Sequence, residues 1–367
     1  MSAEARAARW VRPQIRALQA YHVQDPGEAI KLDAMENPYR LPDELVPAWL
    51  DRLRRVPLNR YPDPAARALR GRLRAQLGLG TEAELIFGNG SDELIQVILL
   101  TLAGPDRVVL APAPTFVMYR MIALFAGMRY VEVPLRPGDF ALDTEAMLAA
   151  LEAERPAVVF LAYPNNPTGG RWPRAEVERI VAAAPGLVVV DEAYAPFADD
   201  SLLDAVGQWD NLVVMRTFSK LGLAGLRLGY VVGPPAWIHE FDKVRLPYNI
   251  NALTQASADF ALEHAEVFEA QAARIRAERS RLLDALAAIP AVAPYPSETN
   301  FVLFRVPRGQ GRAVFERLRA QGVLVKDLSG QAGLEDHLRV TVGTPAENQA
   351  FLKALHTALA AHPPGTG

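Results

Sequence analysis

The chain of 367 residues is half apolar and carries 39 basic against 42 acidic side chains, a net charge of −3. That length buries a sizeable core in one large or two medium domains, and the composition excludes a disordered protein. The absence of cysteine excludes a disulfide scaffold, a thiolate metal site and a cysteine nucleophile, and the lack of a basic run argues against nucleic acid as the main partner.

Residues 1–44 are punctuated by Pro, Asp and Asn, show little periodicity, and read as an arm. The first residues have no uninterrupted apolar core or cleavage pattern. The longest apolar stretch, 94–103, is too short to span a bilayer. A cytoplasmic location is expected.

From residue 45 the pattern becomes regular. ELIFG (84–88) is a strand ending at a glycine turn, and the helix after it, 91–103, has Ser91 and Asp92 placed to cap it. Strand 106–114, helix 114–127, strand 128–135 and helix 143–154 follow. Strand 157–163, the loop PNNPTGG (164–170), helix 173–184 and strands 187–194, 211–218 and 226–233 complete this part. The strands are near-continuous Val, Leu and Ile runs, which predicts a parallel sheet buried on both faces by helices. Residues 252–289 read as one long helix. Strand 298–306, helix 311–321, the segments 322–328 and 337–343, and a last helix, 345–361, form a smaller α+β unit with an antiparallel sheet.

In an open parallel sheet the ligand sits beyond the carboxyl ends of the strands. There the chain places Asn-Gly-Ser-Asp-Glu (89–93), Pro-Asn-Asn-Pro (164–167), Asp191 to Tyr194, and Ser219-Lys220 leading to Arg227. Only five residues are lysine, so Lys220 in a glycine-rich loop needs its own reason. Its amine can form an imine with an aldehyde. Asp191 can keep a pyridine nitrogen protonated. Asn166 and Tyr194 can hydrogen-bond a phenolate oxygen. Thr217, Ser219 and Arg227, with the amides of a glycine turn, suit a phosphate dianion. One cofactor needs all of these groups, pyridoxal 5′-phosphate. The six histidines fall at no metal-ligand spacing, and no metal is expected.

The motifs LDAMENP (32–38), RYPD (60–63), GNGSDE (88–93), PTFVMY (114–119), YPNNPTG (163–169), DEAY (191–194), TFSKLGLAGLRLGY (217–230), NF (300–301) and LRVTVGT (338–344) extend over nearly the whole chain. With them the sequence resembles the fold-type I pyridoxal-phosphate aminotransferases, and among these the histidinol-phosphate aminotransferases. The resemblance implies a large cofactor domain, 45–250, with a mostly parallel seven-stranded sheet, and a small α+β domain, 251–367, which 1–44 joins as arm and part. It implies that Lys220 holds the cofactor and moves a proton. Asp191 and Tyr194 would act with it, and Phe116 would stack on the ring. Ser91, Asp92, Thr217, Ser219 and Arg227 would form the phosphate cup, and Asn166 would reach the ring oxygen. Tyr61 would come from the neighbouring subunit of a homodimer. Arg339 would bind the anionic end of the substrate, helped by Tyr21, Asn37 and Lys326, with Glu36 beside Asn37 in the segment entering the site.

The implied reaction is amino transfer between L-histidinol phosphate and 2-oxoglutarate in histidine biosynthesis. The family's wider range leaves two alternatives, an aromatic or broad-specificity aminotransferase and a threonine-phosphate decarboxylase. Two departures stand out. The Lys220–Arg227 spacing is seven where eight is common, and Lys326 stands where many relatives have arginine, a point charge in place of a planar fork.

Overall fold

The computed structural model describes residues 1–20 and 24–360. Thirteen strands are present among them: β1 Ile30–Lys31, β2 Glu84–Gly88, β3 Val108–Ala113, β4 Arg129–Pro134, β5 Val158–Ala162, β6 Leu187–Asp191, β7 Leu212–Thr217, β8 Gly229–Gly233, β9 Ala293–Pro294, β10 Phe301–Arg305, β11 Val323–Leu324, β12 Lys326–Asp327 and β13 His337–Thr341. Seven form one sheet in the order β2-β8-β7-β6-β5-β3-β4. Its pairs are parallel except those made by β8, which runs against both β2 and β7.

Successive residues of a strand face opposite sides of its sheet. Val159 and Leu161 of β5 therefore join one apolar cluster, while Val158 and Phe160 join another. Val188 and Val190 of β6 divide from Leu187 and Val189 in the same way. All eight are inaccessible to solvent. Each contributes roughly 1.5–3 kcal/mol by leaving water, which is why the strands are apolar without alternation. A third cluster lies around the antiparallel sheet β12-β13-β10-β9 and the helices Ala265–Ala287, Gly311–Ala320 and Pro345–Ala360.

The structure departs from the sequence reading at three places. The segment 252–289 is two helices, Ala252–Glu263 and Ala265–Ala287, separated at His264, whose backbone (φ −118°, ψ 37°) leaves the helical region. The residues before β2's following helix also differ. That helix is Gly90–Leu102 and starts one residue before Ser91, so Ser91 and Asp92 lie in its first turn. Its end is tied instead by Glu93, whose Oε2 accepts from the Asn89 backbone N–H at 2.6 Å. Finally, the described residues before 45 include regular elements that the sequence did not suggest. Helices Ala3–Trp10 and Pro13–Arg16 precede β1, which pairs in parallel with β11.

The sheet register sets the site. Gly88 is opposite Gly229, Gly229 opposite Thr217, Asp191 opposite Met215, and Ala162 opposite Asp191. The polar residues that follow β2, β5, β6 and β7 therefore collect at one edge.

Candidate active site

A cavity of about 230 Å³ opens at that edge. Ser91, Asp92, Phe116, Asn166, Asp191, Tyr194, Thr217, Ser219, Lys220 and Arg227 all line it, together with Ala34, Met35 and Glu36.

One end is built for an anion. The Thr217 hydroxyl donates to Ser219 Oγ at 3.0 Å, and Arg227 Nη1 reaches the same oxygen at 3.4 Å. Arg227 Nη2 meets Asp92 Oδ2 at 3.3 Å. Amides at the N-terminus of Gly90–Leu102 add the positive end of the helix dipole. Here glycine is required: Gly90 holds φ at +79°, and a Cβ on Gly229 would stand 2.9 Å from the Ser91 backbone nitrogen. The seven-residue step from Lys220 closes because two short 3₁₀ turns, Ser219–Leu221 and Ala224–Leu226, shorten the path. Arg227 then turns back in the left-handed region at φ 49°, a conformation costly for arginine and typical of functional positions.

The other end is built for a cation. Asp191 is 4% exposed and terminates β6. Its Oδ2 accepts from the Tyr119 hydroxyl at 2.6 Å and its Oδ1 from the Ala193 N–H at 3.1 Å. Burial pushes its pKa up to about 6 against those two bonds, so the carboxylate gains from any cationic partner.

Lys220 lines the same cavity. Its Nζ reaches the Ala34 carbonyl at 3.4 Å and lies 5.7 Å from the Tyr194 ring centre. Burial, then the Arg339 charge, lowers its pKa to about 8. The Tyr194 phenol is shifted upward by burial, so it stays a donor. Donor cup, buried carboxylate and lowered amine match the phosphate, ring nitrogen and aldehyde of the cofactor named from the sequence, and Phe116 supplies an apolar ring in the same wall.

Four expected residues lie outside the wall. Arg339 is 6% exposed; its Nη1 donates to Asn166 Oδ1 at 2.5 Å and its Nη2 to the Asp33 carbonyl at 3.0 Å, so it reaches the cavity through Asn166. Lys326 is the cross-strand neighbour of Arg339. The Asn37 amide donates to Leu221 O at 3.1 Å and Gln271 Oε1 at 2.9 Å, which pins the segment to the loop after Lys220. Tyr61 is 81% exposed and stacks on Tyr248 at 4.6 Å, away from its own cavity. Tyr21 lies outside the described residues.

Sequence reasoning gave no role to Tyr119, the partner of Asp191. The signal was present: Phe116 and Tyr119 are three apart at the start of the helix Val117–Ala126, so they share a side. Their rings meet edge-on at 5.5 Å.

Residues 28–355 match the family model "Aminotransferase class I and II". A histidinol-phosphate aminotransferase 2 of Nitrosococcus oceani is 56% identical over 351 residues, which is 95% of this chain and 97% of that protein. A histidinol-phosphate aminotransferase of Chromobacterium violaceum is 56% identical over 346 residues, 94% and 96% of the two chains. Among solved structures, the histidinol-phosphate aminotransferase of Sinorhizobium meliloti in complex with pyridoxal 5′-phosphate superposes with a TM-score of 0.86 at 27% identity, covering 96% of this chain and 98% of that one.

Proposed function

Since the chain belongs to the class I and II aminotransferases, we propose that it is a pyridoxal-phosphate enzyme that transfers the amino group between L-histidinol phosphate and 2-oxoglutarate, a step of histidine biosynthesis. The observation that carries this reading is the cavity that Lys220 shares with an anion cup and a buried carboxylate. The relatives' names favour the substrate.

When bound, the cofactor supplies a carbonyl that takes the amino group and a ring that draws electrons from the substrate Cα–H bond. The chain's own residues do the rest. Thr217, Ser219, Arg227 and the first turn of Gly90–Leu102 bind the phosphate. Asp191, held by Tyr119 and Ala193, keeps a proton on the ring nitrogen. Tyr194 and Asn166 would donate toward the ring oxygen, and Phe116 would supply an apolar wall beside the ring. Lys220 takes the Cα proton as a neutral amine and returns it from its ammonium, work suited to a pKa near 8. Arg339 receives the substrate's anionic end, with Lys326 beside it as a second cation for the phosphate. Tyr21 and Asn37 flank the entry.

The same reading makes the active species a homodimer. Leu58, Tyr61, Tyr248 and Leu253 are 40–81% exposed around one shallow hollow. Covering that face with a second copy would carry Tyr61 to the other subunit's phosphate cup. The domain boundaries 45–250 and 251–367 belong to this reading, with 1–44 shared between arm and small domain.

The test is a half-reaction with the cofactor-loaded protein. L-Histidinol phosphate should convert the cofactor's visible absorbance to that of its amine form, while L-phenylalanine and O-phosphothreonine leave it nearly unchanged. Faster conversion by L-phenylalanine, or carbon dioxide release from O-phosphothreonine, would move the protein to another activity of the same fold.

A further inference from the structure

Glu192 and Arg216 are absent from the cavity wall, yet each is the chain neighbour of a residue that forms it: Glu192 follows Asp191, and Arg216 precedes Thr217. The Glu192 side chain is 1% exposed and that of Arg216 is 18% exposed. Every acceptor of the carboxylate is engaged. Arg216 donates from Nε at 2.9 Å and Nη2 at 2.8 Å to Oε2, Ser201 Oγ donates to the same oxygen at 2.8 Å, and the Leu202 N–H donates to Oε1 at 2.6 Å. Arg216 Nη2 also reaches Ser201 Oγ at 2.8 Å. Tyr230 stands opposite Arg216 in the β7–β8 register, and the guanidinium is near enough to act on its phenol.

A buried ion pair is a poor way to gain stability, because desolvation cancels most of the attraction and apolar side chains of equal volume do as well. It does fix a distance. The backbone ladder between β6 and β7 ends at the bond from Glu192 N–H to Met215 O, 2.8 Å. Beyond it one chain turns toward Tyr194 and the other runs on to Lys220. The Glu192–Arg216 pair is a side-chain rung placed just after the last backbone rung. It bridges the strand ending in the ring-nitrogen group and the strand carrying the phosphate cup.

Resting on the aminotransferase reading above, we infer that Glu192 and Arg216 are positioning residues that set the span between Asp191 and the Thr217–Ser219 hydroxyls, so that one rigid cofactor meets both ends at once. Arg339 lies on β13, outside this span, so substrate binding is independent of it.

The variants Glu192→Gln and Arg216→Lys keep shape or charge and lose the two-pronged pair. Three quantities separate positioning from plain structure: the dissociation constant of pyridoxal 5′-phosphate for the stripped protein, kcat and KM for L-histidinol phosphate, and the melting temperature. Folded variants should bind the cofactor about tenfold more weakly or worse and lose kcat by a similar factor, with KM within about threefold. Tyr230→Phe, which removes the phenol beside the guanidinium, should show the same pattern more weakly. A folded variant with cofactor affinity and kcat within about twofold of the parent, whatever its melting temperature, overturns the inference. So does failure of all three variants to fold, which would make the pair a folding requirement. If the parent protein itself does not bind the cofactor, the aminotransferase reading falls first, and this outcome is distinct from the others.

Discussion

At the scale of single residues the site is a matter of two tuned groups. Lys220, ordinarily a base near 10.5, is lowered to about 8 because burial and the Arg339 guanidinium both disfavour its ammonium. A lysine attacks an aldehyde only as the neutral amine. The rate at which stripped protein takes up pyridoxal 5′-phosphate should therefore rise with pH through a midpoint near 8; a midpoint close to 10 would show that neither effect reaches the amine. Asp191 is shifted the other way, up to about 6, with the Tyr119 hydroxyl resisting the shift. Replacing Tyr119 by Phe removes a donor to a buried carboxylate, a loss of about 1–3 kcal/mol. It raises the Asp191 pKa further, so carboxylate is lost at higher pH. The acidic fall in cofactor affinity should then begin at higher pH in Tyr119→Phe, and an unmoved profile would deny Tyr119 its role. Asp191, Lys220 and Arg227 were legible in the sequence because their chemistry is rare and their order is constrained. Tyr119 was harder to see, since a tyrosine on an apolar helix face reads as core until its hydroxyl is shown to have a partner.

At the scale of elements, the strand ends do the positioning, and here the turn Gly90–Ser91 pressed against Gly229 is decisive. A Cβ on Gly229 would be 2.9 Å from both the Gly90 carbonyl carbon and the Ser91 nitrogen, in backbone that cannot swing aside. Gly229→Ala should fold with a loss of about 1–3 kcal/mol. It should also weaken pyridoxal 5′-phosphate binding, because the cup's amides are pushed off their places; equilibrium titration with the cofactor checks this, and unchanged affinity would mean the cup tolerates the shift. Most strands of the large sheet were readable as apolar runs, since burial on both faces removes polar residues from every position. The reversed direction of β8 was not readable, because a strand buried on both faces has the same composition whichever way it runs. The break at His264 was also hidden: it interrupts an Ala- and Glu-rich stretch without glycine or proline, and only the two helices' different neighbours separate them. The strand β1 is too short to show any period.

At the scale of the whole molecule, the exposed pair Tyr61–Tyr248 bears on how complete one chain is. If Tyr61 serves the other subunit, a mixed dimer of Tyr61→Phe and Lys220→Ala protomers contains one intact site. Mixing the two purified proteins should then raise activity above that of the Tyr61→Phe protein alone, after correction for concentration, whereas a Tyr61 that serves its own chain gives plain dilution. The segment Leu32–Met35 has a different reach. The Thr341 N–H donates to Leu32 O at 2.8 Å, the Met35 N–H to Thr341 Oγ1 at 2.9 Å, Asn300 Nδ2 to Met35 O at 2.9 Å, and Lys220 Nζ to Ala34 O. One of these bonds joins residues 306 positions apart. During synthesis Leu32 and Met35 therefore leave the ribosome long before Asn300 and Thr341, which later hold their segment. All seven strands of the large sheet precede β10 and β13 in the chain, so on a growing chain Ala34 and Met35 can be locked into the cavity wall only after Asn300 and β13 have emerged.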